Sequence, residues 1–282
     1  MAPPPPANLP LTERILALAK TLQFAWFSGH LVLLLCIFRY SLSAIAFSYN
    51  TRWARFTYRT AFVSAALTYG IVVYKTWRAR QKVGPKNIGA AALLADENVQ
   101  YLAMALVWLL SPQYSLAMLP YGIYSVFHVA TYTRNNVIPT IQPNKPAPGA
   151  SPGAKPQSAN PIAEVIGNFV KQYYDTSMSI VAGLEILIWG RLFLSAILFQ
   201  RRSWILITIY TIFLRTRFAQ SSHVQDSFRI LESRIDSLVG AQGTPPAARS
   251  VWEGVKNGIR QFHDASEIGK YVGGNAVPKK TS

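Results

Sequence analysis

The residues able to do chemistry are few and scattered. Glu185 and Arg191 lie six positions apart in one long apolar stretch, and His128 lies in another. An ionisable side chain in hydrocarbon is costly, so each marks a candidate functional site. The spacing of Glu185 and Arg191 is neither i,i+3 nor i,i+4, so one straight helix does not pair them well. His128 is a candidate partner for Glu185. Read functionally, Glu185, His128 and Arg191 would serve an enzyme or carrier of lipids within the bilayer. Read structurally, they are polar contacts between helical hairpins, or side chains that snorkel from shallow segments. One carboxylate with one imidazole is thin for catalysis, and the structural reading is preferred. None of His30, His128, His223 and His263 stands in a metal-ligand spacing such as H-E-x-x-H. Cys36 sits in an apolar run without a base nearby, and as the single cysteine it makes no intramolecular disulfide. The short glycine-containing run at 269–274 is not a phosphate loop. No cofactor is expected, and the chain reads as a non-enzyme.

The elements that must position these residues are membrane segments. Half of the 282 residues are hydrophobic and 14% are charged, against about a quarter charged in a soluble domain. Five prolines in residues 1–10 read as an extended tail, and residues 11–20 as a short amphipathic helix. Apolar segments follow at 24–47, 60–74, 99–110, 114–130, 178–199 and 204–214. A cleaved signal peptide would put Arg39 between the hydrophobic region and the Ala44-Ile45-Ala46 site, so the first segment reads as a retained span. Fifteen residues at 60–74 reach about 22 Å as a helix, short of a hydrocarbon core of about 30 Å. Only Ser111-Pro112-Gln113 separates the third segment from the fourth, and Gln200-Arg201-Arg202-Ser203 the fifth from the sixth. These pairs read as shallow hairpins, the rival for the first being one helix kinked at Pro112. Residues 138–161, with seven prolines, read as a solvent-exposed linker. The hairpin recurs, but no internal sequence repeat is evident.

The net charge of +16 is interleaved with these segments, which argues for topology and anionic headgroups and against nucleic acid. Across six segments, 21 of the 28 basic residues fall on the side of both termini and five on the other. The positive-inside rule then puts both termini in the cytosol.

Residues 221–282 form a separate region. Val224, Phe228, Leu231, Ile235 and Leu238 make one helix face. A second helix is expected over 250–271, with Trp252, Val255, Ile259 and Phe262 on one face and Lys256 and Arg260 beside it. That pattern suits a helix lying in the membrane interface, the rival being a helix packed on the protein itself. The expected organisation is all-α and polytopic: a tail and short amphipathic helix over 1–23, a hairpin domain over 24–220, and a cytosolic amphipathic region over 221–282.

Residues 94–134 (LADENVQYLAMALVWLLSPQYSLAMLPYGIYSVFHVATYTR) resemble the central block of the transmembrane protein 33 family, also called Krüppel homologue two, which includes the fungal pore-membrane protein thirty-three. The marks are an acidic pair before Tyr101-Leu102, a proline-broken hairpin and the ending His128-x-Ala-Thr-Tyr-Thr-Arg134. Glu185-Ile186-Leu187 and 210–222 (YTIFLRTRFAQSS) resemble its later block. The resemblance implies a protein of the endoplasmic reticulum and nuclear envelope that helps shape tubules and influences nuclear pore distribution. It implies reticulon-type proteins and nuclear pore components as partners. It also implies a C-terminal amphipathic region that binds membrane lipids and an import receptor, expected here at the second C-terminal helix.

Overall fold

The computed structural model describes residues 5–6, 8–83, 93, 95–143 and 160–266, and these are helical with no strand among them. The fold is that of an all-α membrane protein. It divides into two compact units, residues 1–224 and 225–282.

Helix α1 spans Leu11–Ala19 and α2 spans Leu22–Ile45, the latter started by Thr21, whose Oγ1 accepts from the Phe24 amide at 3.1 Å. Helix α3 runs Arg52–Val83, well beyond the apolar stretch at 60–74. Its 32 residues reach about 48 Å, which corrects the expectation of a short segment there. Arg, Lys and Gln are good helix formers, so the polar flank after Tyr74 continues the helix beyond its apolar stretch. Asp96 caps α4 (Glu97–Leu110) by accepting from the Asn98 amide at 2.9 Å, and Arg80 pairs with Asp96 at 3.0 Å.

After residues 111–114 and a 3-10 turn at Ser115–Ala117, α5 covers Met118–Tyr132. The two arms are separate helices, not one kinked at Pro112. Helix α5 continues through a π-helical turn, Thr133–Val137, into α6, Ile138–Ile141. The start of the expected linker is therefore helical, with Thr140 buried; residues 144–159 of it lie outside the described residues. Asn160 and Pro161 start α7, Pro161–Ile197, the Asn160 carboxamide oxygen accepting from the Ile162 and Ala163 amides. Helix α8 is Ser203–Gln220, six residues longer at its C-terminal end than its apolar stretch.

Helix α3 packs on α2 and α4, α5 on α2 and α7, and α8 on α7. The arms of the central hairpin are thus not each other's closest neighbours. Aromatic side chains fill the space between them: Tyr69 stacks on Tyr101, and Tyr121 meets both rings edge-on. The core is unusually aromatic, with Tyr58, Phe62, Trp108 and Tyr210 also buried. Leu35, Phe38, Leu67, Leu187 and Ile212 point outward. Helices α2 and α7 are long and apolar enough to cross a membrane, and outward apolar side chains of this kind suit a lipid surround.

In the second unit, residues from Gln225 onward carry most of α9 (Ser222–Gly240), followed by α10 (Pro246–Ala265). Gly243, at φ +96°, turns the chain between them, a conformation that glycine adopts without steric cost. Residues 267–271 of the expected second amphipathic helix lie outside the described residues.

Candidate functional site

Glu97, Glu185 and Arg217 come together where α4, α5, α7 and α8 meet. Glu185, on α7, is 1% exposed. Its Oε1 accepts from the Tyr101 hydroxyl of α4, and its Oε2 lies 3.4 Å from Nε of Arg217 on α8. Arg217 is 4% exposed and makes three further contacts: Nη1 sits 2.8 Å from Glu97 Oε1, Nη2 donates to the Tyr124 hydroxyl at 3.3 Å, and the guanidinium lies 5.3 Å from the centre of the Tyr101 ring. The Tyr101 and Tyr124 hydroxyls are 3.2 Å apart. One carboxylate and one guanidinium thus bind four helices together. A buried charge is tolerated when paired and hydrogen-bonded, and this one is. Glu97, half exposed, lets the network reach the bundle surface.

Beside Glu185 is a cavity of about 10 Å3, lined by Tyr101, Met104, Trp108, Tyr121 and Tyr210 among others. That is room for about one water, and no room for a lipid chain. His128 does not meet Glu185. It sits among Trp26, His30 and Tyr124, with ring centroids 5.0, 4.8 and 6.4 Å away. His30 in turn shares a hydrogen bond of 2.9 Å with Ser125. Arg191 is not a partner of Glu185 either; it is exposed, with its guanidinium 5.0 Å from the centre of the Tyr114 ring. The structure therefore brings Glu185 to Arg217 and Tyr101 and leaves His128 and Arg191 in separate places. Sequence reasoning missed Arg217 because it follows Arg215 just past the apolar stretch, where it reads as a flanking charge. The signal was available: residues 203–220 make one helix, and Arg217, seven positions on from Tyr210 and four on from Phe213, falls on their buried face.

A second arginine is spent inside the bundle. Arg59 of α3 donates to the backbone carbonyls of Trp108, at 3.2 Å, and Leu109, at the end of α4. These are carbonyls that a helix end leaves without an intrahelical donor, so the short arm is capped by its neighbour.

The terminal helix is of a different kind. No residue of α10 is buried. Val255, Ile259 and Phe262 are exposed and share one face with half-buried Trp252. Lys256 and Arg260 line one flank. Asp236 of α9 accepts from Trp252 Nε1 at 2.6 Å and lies 3.1 Å from Lys256 Nζ, which also pairs with Glu253 at 2.8 Å. The Trp252 and Lys256 donors hold the Asp236 carboxyl below its ordinary value, and the Glu253 and Asp236 carboxylates hold Lys256 above its own. The contact fixes the polar edge of α10 against α9 and leaves the Val255–Ile259–Phe262 stripe exposed. Among them, no cluster of three or more metal-ligating side chains occurs.

A family model described as transmembrane protein 33/nucleoporin POM33 matches residues 8–264. The chain is 65% identical to nucleoporin POM33 of Chaetomium thermophilum over the whole of both chains. It is 31% identical to tetra-spanning protein 1 of Schizosaccharomyces pombe, covering 92% of this chain and 90% of that one. It is 30% identical to the pore membrane protein of 33 kDa of Saccharomyces cerevisiae, covering 89% and 88%. No solved structure matches. The chain belongs to the transmembrane protein 33/nucleoporin POM33 family.

Proposed function

We propose that this chain is a non-enzymatic membrane protein of the endoplasmic reticulum and nuclear envelope. In this reading it shapes or stabilises curved membrane and supports the distribution or assembly of nuclear pores by binding partners. The observation that carries the reading is helix α10: an exposed stripe of Val255, Ile259 and Phe262, flanked by Lys256 and Arg260. A helix of that kind lies in the headgroup boundary and expands one leaflet, and basic residues add attraction to anionic lipid. Helix α4, at 14 residues, reaches about 21 Å and is too short to cross upright, which favours the same asymmetry. Relatives named as a nucleoporin and as pore membrane proteins support the nuclear envelope as the place of action. Both termini are assigned to the cytosol on the excess of basic residues there. Membrane lipids are the first partner, with nuclear pore components, reticulon-type proteins and an import receptor at the tail as the protein partners.

The competing reading, a lipid enzyme or carrier built on Glu185 and His128, has less support: the two side chains have different neighbours, and the cavity beside Glu185 holds about one water. Two variants separate the readings in cells lacking the native copy. Ile259→Asp with Phe262→Asp should lose pore distribution with the bundle intact. Glu185→Gln should keep function or lose stability outright. Loss of function by a stably folded Glu185→Gln protein, with the tail variant unimpaired, would overturn the proposal.

A further inference from the structure

Two helix ends in the bundle have the same construction. Helix α2 closes with Arg39-Tyr-Ser-Leu-Ser-Ala-Ile-Ala-Phe47, and α7 with Arg191-Leu-Phe-Leu-Ser-Ala-Ile-Leu-Phe199; six of the nine positions are identical. The backbone repeats as well. The Phe47 amide donates to Ala44 O at 3.1 Å and the Ser48 amide to Ser43 O at 2.8 Å; Phe199 donates to Ala196 O and Gln200 to Ser195 O, both at 3.0 Å. This is the hydrogen-bond pair of a Schellman stop, whose turning residue is usually glycine. Here it is phenylalanine, at φ 52° and 51°, a region that is strained for a bulky side chain. Each ring is then presented outward, 89% and 83% exposed, and an exposed tryptophan follows, Trp53 and Trp204. An internal repeat thus exists, although none is evident on reading the segments in order: it is confined to nine residues at two helix ends far apart in the chain.

The arginines match too. Arg39 and Arg191 are both exposed, and neither makes an ion pair among the described residues. Arg39 Nη1 donates to Ser43 Oγ at 2.7 Å, one turn nearer the helix end. Arg191 lies over Tyr114, whose hydroxyl is 3.3 Å from Ser195 Oγ, the equivalent serine. Both charges therefore lean the same way, along about 12 Å of helix toward the exposed phenylalanine. The central connection ties the two ends together: Ser115 Oγ is 2.9 Å from the Tyr40 hydroxyl, and Tyr114 faces Ser195.

We propose that these ends are a duplicated phospholipid anchor. Arg39 and Arg191 each hold the phosphate of one phospholipid in the leaflet at this end of the bundle, and Phe47, Trp53, Phe199 and Trp204 seat in its headgroup layer. Aromatic side chains with one apolar and one wet end collect at that depth, and an unpaired arginine on a lipid-facing helix reaches for a phosphate. A strained phenylalanine where glycine would serve is explained by a demand for the ring itself.

The test uses the full-length chain, purified in mild detergent with added phosphatidylglycerol and weighed by native mass spectrometry. Arg39→Gln and Arg191→Gln should each remove about one retained phospholipid, and the double variant both, whereas lysine at both positions should retain them in part. Independently of those arginines, nitroxides at Phe47→Cys and Phe199→Cys, with Cys36→Ser, should report equal depth in the headgroup layer of a reconstituted bilayer. Undiminished phospholipid retention by the double glutamine variant, or unequal depths for the two nitroxides, would overturn the anchor. Phe47→Gly with Phe199→Gly relieves the backbone strain; if that protein is more heat-stable and sits at an unchanged depth, the rings are only helix stops.

Discussion

Replacing Arg217 by methionine should be among the most damaging single changes in the bundle, although it lies at the very end of an apolar helix. The substitution keeps an unbranched side chain and removes the charge. Glu185, 1% exposed, would keep only the Tyr101 hydroxyl. At 3.4 Å and an effective dielectric constant of about 20, the attraction being lost is about 5 kcal/mol before desolvation. Removing one partner of a buried pair generally costs about 3–5 kcal/mol, because the remaining charge stays buried. Glu185→Gln should cost less, about 1–2 kcal/mol, since Arg217 retains Glu97 and Tyr124. The double variant should then be more stable than Arg217→Met alone. The assay is reversible unfolding of the four proteins in mixed SDS micelles, followed by circular dichroism. A loss below about 1 kcal/mol for Arg217→Met, or additive losses in the double variant, would refute the assignment of Glu185 and Arg217 as a coupled pair.

Further outcomes are expected. Arg59→Gln removes the cap on the Trp108 and Leu109 carbonyls and should cost about 1.5–3 kcal/mol in the same unfolding assay. Gly29→Val should destabilise by about 1–3 kcal/mol, because a Cβ on Gly29 would sit 2.5 Å from Thr68 Cγ2, where α2 and α3 approach closely. In the second unit, the Asp236 carboxyl titrates below its ordinary value in the folded state. Its contribution is therefore fully present above that ordinary value and lost only as the pH falls through the lowered one. Trp252 fluorescence should stay constant on acidification through the ordinary carboxylate range and change below it, and Asp236→Asn should show the changed signal at neutral pH. In a Cys36→Ser background, single cysteines at Asn50, Gln113 and Ser203 should react from one and the same face of intact microsomes, because Gln113 Nε2 donates to Tyr49 O at 3.4 Å and Tyr114 reaches Ser195.

Much of the fold is legible in the residues because lipid imposes a simple pattern. The apolar runs mark where helices cross or dip, Pro112 marks a break, and Gly243 and the period of Val255, Ile259 and Phe262 mark the tail helices. What the runs do not show is helix length. Apolarity reports the solvent around a helix, not where its hydrogen bonding ends, so α3 extends past its apolar part through Lys, Arg and Gln residues, and α7 begins well before its own in the mixed stretch 161–177. The same confusion hides the polar core. Arg217 and Arg59 stand at the edges of apolar runs and read as flanking charges, yet each turns inward to a buried acceptor. Which carboxylate or carbonyl an arginine meets depends on how four helices are arranged, and no spacing along one of them encodes that. His128 shows the converse: its place in an apolar run is plain, but its neighbours are rings, not the carboxylate.

The most direct test of membrane shaping by the terminal helix is sorting by curvature. Full-length protein, fluorescently labelled and reconstituted into giant vesicles, would be followed as narrow membrane tethers are pulled from them. The account predicts enrichment in the tether over the flat membrane, and loss of that enrichment in the Ile259→Asp, Phe262→Asp protein at equal reconstitution. Equal density in tether and vesicle for the wild-type chain, or enrichment undiminished by the two substitutions, would contradict it.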